Sequence, residues 1–250
     1  MTEAQPRVAI VTGGADGFGS AIVDRFQAEG CKVLFIDLNE AKGTAKAATK
    51  PDDLSFMPGD VSQRDTWERA LSTVREKYGR IDIVVNNAGI THANALVHEL
   101  KIEDFDKVFN VNVKPILLSA QVLCPFMQKQ GNGVFINLTS TGCSRPRLGF
   151  SFYNASKAAV RTASKTMALE YAPAIRFNCI CPAVGDTTML QASIGDGADA
   201  QERRRKLAET LPMKRITAPT DIANAAWFLA SDQSSFMTGT TIEVDGGRGV

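Results

Sequence analysis

The sequence predicts an α/β fold, a doubly wound parallel sheet of about seven strands flanked by helices, in one domain over residues 1–250. Three observations predict it. Apolar runs alternate with amphipathic stretches from end to end, as βα units feeding a parallel sheet require. Strand candidates such as VLFI at 33–36 are continuously apolar, which implies burial on both sheet faces. A chain of 250 residues, 44% hydrophobic and 22% charged, suits one domain that buries roughly three quarters of its unfolded surface.

In chain order, the apolar runs place strands at Arg7–Val11, Lys32–Ile36, Ser55–Met57, Ile81–Val85, Gly133–Asn137, Ile175–Ile180 and Thr240–Val244. The amphipathic stretches between them read as helices Phe18–Glu29, Glu40–Ala48, Gln63–Tyr78, Ile102–Gln130, Phe152–Tyr171 and Thr220–Ala230. The rhythm breaks between Asp186 and Arg215, a polar, glycine-bearing segment too long for a simple connection. It is either a substrate lid with a short helix or a passive surface insertion. Its run Arg203–Lys206, diluted by Glu202 and Glu209, reads as a solvated helix face. There is no internal repeat and no low-complexity tract.

Charge and composition narrow the function. With 28 basic against 27 acidic residues, no overall field attracts nucleic acid or an anionic membrane, so the expected partner is a small molecule. No apolar run approaches the roughly 20 residues needed to span a bilayer, and MTEAQPRVAIVTGG lacks a signal-peptide core; a cytoplasmic location is expected. The five cysteines are odd in number and scattered without a CxxC pair, which fits a reducing compartment. Cys179 and Cys181, at i and i+2, read as one buried strand face. No metal is expected: His92 and His98 are the only histidines, and no acidic residue joins a cysteine at ligand spacing.

Two stretches carry chemistry. TGGADGFG at 12–19 begins where the first strand ends and the first helix starts. Its Gly13, Gly17 and Gly19, spaced GxxxGxG, allow tight turning and close approach to a pyrophosphate at the positive end of the helix dipole. Asp16 and Phe18 lie within the same cofactor-binding turn. About 20 residues past the glycines, VLFID places Asp37 at the carboxyl edge of the second strand, where it can accept hydrogen bonds from adenosine ribose hydroxyls. Leu38 rather than an arginine follows, and Asp16 adds to the negative charge, so NAD is favoured over NADP. The alternative is that Asp37 only caps the next helix. In YNASK at 153–157, Tyr153 and Lys157 share one helix face, so the ammonium can stabilise a phenolate. Bringing a tyrosine from its usual pKa of about 10 to neutrality takes roughly 4 kcal/mol of preferential stabilisation of the anion.

With these motifs in place the chain resembles the short-chain dehydrogenase/reductase family over essentially all its length. The motifs stand in family order: TGGADGFG, Asp60 with Val61, NNAG at 86–89, Asn112, Ser140, YNASK, and a proline-led turn after the sixth strand. Ser140 precedes Tyr153 by thirteen residues, the family's usual interval. The resemblance implies a Rossmann-type fold in which Tyr153 exchanges the alcohol proton, Ser140 hydrogen-bonds the substrate oxygen, and Lys157 serves both phenolate and nicotinamide ribose. Asn112 would hold a water that links Lys157 to solvent. Asp60 and Val61 would flank the adenine, and Asn87, Ala88 and Gly89 would line the cofactor, with Pro182, Ala183, Gly185 and Thr187 of the late turn. There the chain departs from the family: PAVGDT puts Ala183 in the glycine position and Gly185 where an aliphatic residue is usual.

The implied activity is hydride transfer between NAD(H) and a small or cyclic secondary alcohol or ketone. Its alternatives are an NADPH-driven carbonyl reductase and a non-catalytic dinucleotide-binding protein; the complete Ser140–Tyr153–Lys157 set argues against the latter. The family commonly forms homodimers and homotetramers by pairing long helices, and self-association is expected here. Candidate pocket residues are Thr91, His92, Cys143 to Leu148, Phe150, Met189 and Leu190. Arg145 and Arg147 read either as recognising a carboxylate or as solvated loop arginines.

Overall fold

Short, continuously apolar β-rich runs separated by stretches with a 3.6-residue apolar period produce the alternation observed in the computed structural model, which describes residues 5–188, 190, 191, 195, 197 and 199–250. Strands β1 (Val8–Thr12), β2 (Lys32–Asp37), β3 (Leu54–Pro58), β4 (Ile83–Asn86), β5 (Val134–Leu138), β6 (Arg176–Pro182) and β7 (Thr241–Val244) lie within two residues of their expected bounds. All pair in parallel in the order β3-β2-β1-β4-β5-β6-β7. The order reverses between β1 and β4, which opens a crevice at the carboxyl ends of those strands.

Apolar helix faces cover both sides of the sheet. On one side Ile22 and Phe26 of α1 (Gly17–Ala28) and Ile222 and Leu229 of α8 (Pro219–Ala230) pack onto Val33, Phe35 and Ile136. On the other, Trp67 of α3 (Arg64–Tyr78), Leu123 of α5 (Lys114–Gln130) and Ala168 of α6 (Ser151–Tyr171) meet Ile10, Phe135 and Phe177. Helix α2 (Glu40–Ala48) follows β2. Cys179 and Cys181 are buried in β6 as expected, and burial pushes their thiols up to about 11 and about 12. Leu117 of α5 and Leu169 of α6 stay 57% and 84% exposed, apolar surface on which self-association would draw.

The expected single helix Ile102–Gln130 is two helices. Helix α4 (Ile102–Asn112) ends at Val113, whose φ of −108° and ψ of −50° break the axis before α5 starts. Pro115 causes this, because its ring has no amide proton and crowds the backbone before it.

After β6 the chain forms a parallel bridge between Gly185 and Thr217, and α7 (Ala200–Glu209) lies between them. Arg205 pairs with Glu202 at 2.8 Å and Glu209 at 2.6 Å, so the basic run is the solvated helix face expected. The opposite face turns Leu207 and Ala208 onto Leu190, Leu211, Ile216 and Ala183. Met189 lies outside the described residues. Among the described residues no helix is long and apolar enough to cross a membrane, and no group of three His, Cys, Asp or Glu side chains could hold a metal ion.

Candidate active site

Thr12, the last residue of β1, ties the crevice together. Its hydroxyl accepts from the amides of Asn87 and Ala88, both at 3.0 Å, while the Asn87 side chain donates to the carbonyls of Thr12 at 2.8 Å and Gly13 at 3.2 Å. The end of β4 is thereby fixed against the glycine-rich turn. Gly13 and Gly17 have φ of +65° and +54°, a region that disfavours other residues. Gly19 is dictated by space: a Cβ there would stand 2.0 Å from the Gly13 carbonyl oxygen. Asp16 caps α1 by accepting from the Gly17 amide at 2.7 Å, and the amides of Phe18 and Gly19 have no carbonyl four residues back within the helix. Residues that crowd out side chains and direct first-turn amides outward fit a dinucleotide pyrophosphate.

Asp37 does not cap the next helix; Asn39 does, accepting from the Lys42 amide at 3.0 Å. The Asp37 carboxylate instead accepts from the amides of Ala15 at 3.0 Å and Asn39 at 2.9 Å, which hold it at the edge of the turn beside Leu38, 74% exposed. Asp16 requires a correction. The sequence showed no arginine to offset it, but the Lys42 ammonium, brought in by α2, pairs with its carboxylate. Burial works to raise the Asp16 pKa, and the bonds from Lys42 and the Gly17 amide outweigh it and hold the carboxyl below its ordinary range. The repulsion expected against a 2′-phosphate therefore rests on Asp37. Further along the crevice, Asp60 accepts from the Ser62 amide at 2.9 Å; this and other bonds from Ser62 and Gln63 overcome burial and keep it low. Val61 is buried, its carbonyl accepting from Trp67 Nε1 at 2.9 Å.

The departure at PAVGDT has a structural counterpart. A Cβ on Gly185 would stand 2.0 Å from Cζ of Phe18, so the Phe18 ring supplies the bulk that an aliphatic residue would bring at 185. Thr187 packs its methyl toward Gly17, where a Cβ would stand 3.2 Å away. Pro182 ends β6, and the buried Ala183 lies against β7 with its amide 3.4 Å from the Val244 carbonyl. Asp186 pairs with Arg204, linking this turn to α7.

The other wall brings Asn112, Ser140, Tyr153 and Lys157 together. Ser140 follows β5 and starts a short 3-10 turn, accepting from the Gly142 amide at 3.2 Å, and the half-buried Tyr153 stands on the helix that follows. Helix α6 carries Tyr153 and Lys157 one turn apart. Lys157, 5% exposed, donates to the Leu138 carbonyl at 3.0 Å. A Cβ on Gly89 would stand 3.0 Å from Lys157 Nζ and 3.2 Å from Asn112 Oδ1, so the three residues converge and residue 89 must be small. Asn112 is held by its own side chain: Oδ1 accepts from the Ile90 amide at 2.8 Å, and Nδ2 donates to the Ile90 carbonyl at 2.9 Å and Ser156 Oγ at 3.0 Å. Burial lowers the Lys157 ammonium to about 8. Burial also raises Tyr153, against which the Ser140 hydrogen bond acts.

Sequence reasoning missed several supports. Thr12 and Ser156 sit inside the two quoted motifs without having been singled out. A buried chain runs from Asn86 Nδ2 to Asn137 Oδ1 at 2.8 Å, then from Asn137 Nδ2 to Ser164 Oγ at 2.8 Å, locking β4 to β5 and α6. The signal for it was an asparagine at the end of one apolar strand run and another just past the end of a second.

On the substrate side, Thr91 Oγ1 donates to the His92 carbonyl at 3.2 Å. His92 is a buried residue, with Nδ1 2.7 Å from the Ala93 carbonyl and its ring 5.7 Å from Phe150. Its Nε2 has no partner among the described residues. The Arg147 guanidinium stands 4.9 Å from the same Phe150 ring, and Arg145 donates to the Arg248 carbonyl at 2.7 Å. Cys143 is half-buried and its thiol pushed up by burial; Leu148 is exposed. Leu190 faces the cluster beneath α7.

A doubly wound sheet whose carboxyl edge joins a glycine-rich turn to a Ser, Tyr and Lys set defines a class of oxidoreductase, and comparison with known proteins agrees. A family profile described as Enoyl-(Acyl carrier protein) reductase matches residues 13–248. The chain is 40% identical over 248 residues to the 4-formylbenzenesulfonate dehydrogenase of Comamonas testosteroni, covering 98% of both chains. It is 38% identical over 248 residues to the 2,5-dichloro-2,5-cyclohexadiene-1,4-diol dehydrogenase of Sphingobium indicum, covering 98% of this chain and 96% of the relative. Among solved structures, a 3-ketoacyl-(acyl-carrier-protein) reductase from Brucella melitensis, complexed with NADH, superposes with a TM-score of 0.91 at 34% identity, covering 98% of this chain and 99% of that one. The chain belongs to the short-chain dehydrogenase/reductase family and is an oxidoreductase of alcohol and ketone groups.

Proposed function

We propose that residues 1–250 act as one dinucleotide-binding domain that interconverts a small or cyclic secondary alcohol and its ketone with NAD. The convergence of Asn112, Lys157 and Gly89 at the carboxyl edge of the sheet, with Tyr153 one turn before Lys157 on α6, carries this reading. The relatives named for an aryl aldehyde and a cyclic diol support a ring-bearing substrate. Bound nicotinamide dinucleotide supplies the hydride acceptor or donor. Tyr153 takes the alcohol proton in oxidation and returns it in reduction, and Ser140 donates a hydrogen bond to the substrate oxygen. Lys157, buried and cationic at neutral pH, favours the phenolate and reaches toward the ribose. Asn112 Oδ1 keeps a second lone pair free of the Ile90 amide, suited to the relay water. The segment from 186 to 215 would serve as the lid of this site, a reading supported by the Asp186–Arg204 pair, which ties the start of the segment to α7.

Asp37 sets the cofactor choice. Its two backbone hydrogen bonds fix the carboxylate, and a 2′-phosphate beside it would meet like charge costing on the order of 1–4 kcal/mol. The expected preference for NAD over NADP in kcat/KM is at least about tenfold, and Asp37→Ser should shrink it. Steady-state kinetics with both cofactors on a panel of cyclic and aryl alcohols provide the test. Equal use of NADP by the wild-type enzyme, or an unchanged ratio in the variant, would make the NADPH-driven reductase the better reading.

A further inference from the structure

Four polar side chains cross the apolar layer between the sheet and the helices α5 and α6, none of them more than 5% exposed. Ser119 of α5 and Ser164 of α6 each donate their one hydroxyl proton to a carbonyl of their own helix, Ile116 at 3.2 Å and Val160 at 2.7 Å. Each serine therefore faces the sheet as an acceptor. Asn86 of β4 donates from Nδ2 to Ser119 Oγ at 3.1 Å and to Asn137 Oδ1 at 2.8 Å. Asn137 of β5, its register partner, donates in turn to Ser164 Oγ at 2.8 Å. These bonds admit one orientation of each amide, so the chain fixes α5, β4, β5 and α6 relative to one another.

The same elements carry the proposed site. Asn86 stands three residues before Gly89, and Asn137 three residues before Ser140. Ser119 follows Asn112 by seven residues, and Ser164 follows Lys157 by seven, two turns along the buried face of α6. Leu138, next to Asn137, packs its side chain in the core on the other face of the sheet, while its carbonyl accepts from Lys157 Nζ at 3.0 Å. Helix α6 is thus tied to β5 twice, by Ser164 on Asn137 and by Lys157 on Leu138. The four-residue chain is a poor stabiliser: Asn86 Oδ1 is buried with no partner among the described residues, a cost that apolar side chains of matching volume would not carry. What it supplies is placement. The stem of Lys157 is flexible, and its ammonium stays on the Leu138 carbonyl only while α6 keeps its depth and register on β5.

We infer that Asn86, Asn137, Ser119 and Ser164 are positioning residues for the proton transfer, holding α6 so that Lys157 Nζ stays on the Leu138 carbonyl and against Gly89. A misplacement of about 1 Å can cost on the order of 10²-fold in rate, the scale on which such a chain acts. The catalytic consequence rests on the dehydrogenase reading; the hold on Lys157 does not.

The test uses three variants of the full chain. Ser164→Ala removes the acceptor, Ser164→Cys keeps its shape with a weaker one, and Asn137→Leu with Ser164→Ala replaces the link by apolar groups. The first readout is reductive methylation of Lys157 by formaldehyde, followed by peptide mass spectrometry and referred to the exposed Lys165 of the same helix. The second is the pH dependence of kcat and KM on 1-phenylethanol, 1-indanol and cyclohexanol. The variants should fold, with Tm within about 10 °C of the wild type. Methylation of Lys157 should quicken by about threefold or more in Ser164→Ala and the double variant, and by less in Ser164→Cys. In the same order kcat should fall by about tenfold or more with KM changed less than about twofold, and the acid limb of kcat should move up by about one pH unit as the ammonium draws away from the phenolate.

Folded variants in which Lys157 stays protected would overturn the inference, whatever happens to kcat, and leave the dehydrogenase standing. Faster methylation with kcat and pH profile unchanged would also overturn it, as would failure of all three variants to fold, which would make the chain an element of stability. If the wild-type protein turns over no alcohol, faster methylation in the variants upholds the hold on Lys157 and sinks the proposed reaction; unchanged methylation without turnover sinks both.

Discussion

The two sides of the crevice treat polar groups in opposite ways. On the dinucleotide side, Thr12, Asn87, Asp37 and Asp60 are all engaged by backbone amides or carbonyls before any ligand arrives. On the substrate side, His92 Nε2 and Asn154 Oδ1 are buried without partners among the described residues, and Arg147 lies over an aromatic ring. A buried polar group without a partner costs on the order of 1–3 kcal/mol. The difference teaches where the molecule is already complete and where it is completed by what binds. Glycines and fixed carboxylates fit a rigid mould for the proposed cofactor, and under the proposed function selectivity would reside in groups left for the substrate to satisfy.

Tyr153 stands between the two sides, and its removal should have the largest effect. Tyr153→Phe deletes the transferable proton and leaves the glycine turn, Asp37 and Lys157 in place, so kcat should drop by about 10²- to 10⁴-fold. Nucleotide affinity, read by fluorescence titration, should stay nearly the same. A variant that keeps more than about a tenth of the wild-type kcat would remove Tyr153 from the proton transfer and erase the boundary between the two sides.

Lys157 sharpens the comparison, because it is a buried charge on the preformed side. Burial lowers its ammonium from 10.5 to about 8, so below pH 8 the folded protein holds a charge that the unfolded chain would hold more favourably. Between about pH 8 and 10.5 the unfolded state binds the extra proton, and stability contributed at this site rises with pH. Lys157→Met should therefore abolish turnover while stabilising the fold at pH 7 by roughly 1–3 kcal/mol, the upper end being set by the size of the shift. The gain should fade as pH climbs toward 10.5. Thermal unfolding of both proteins across pH 7 to 10.5 measures it, and a variant less stable at pH 7 would show that the Leu138 hydrogen bond outweighs the cost of burying the charge.

The sequence made the preformed side far more legible than the other. Every strand and the Ser140, Tyr153 and Lys157 set could be read because strand periodicity and motif spacing are local properties. The break at Val113 was missed because a long apolar pattern concealed Pro115 and the grip of Asn112 on Ile90. Lys42 at Asp16 and the Asn86–Asn137–Ser164 chain join residues far apart in sequence, and only the sheet order brings them together. Arg147 was visible as a residue, but its place over the Phe150 ring is a property of the folded surroundings. The departure at Gly185 was legible, and its compensation by Phe18 was not.

That compensation gives the smallest effect expected and the finest test of how rigid the mould is. Gly185 has no unusual φ, so backbone strain does not require glycine there; the Phe18 ring does. Gly185→Ala should force the ring or the Pro182–Thr187 turn to move, weakening NAD binding and stability by about 1–3 kcal/mol. Phe18→Leu alone should leave a small gap beneath the turn. If the two positions exchange bulk, the double variant should recover much of the loss, with a coupling of about 0.5–3 kcal/mol between neighbours in contact. Denaturant midpoints and NAD affinity for the four proteins close the cycle. Strict additivity would mean that the ring yields freely, and that the turn over the cofactor belongs with the adaptable side of the crevice rather than with the mould.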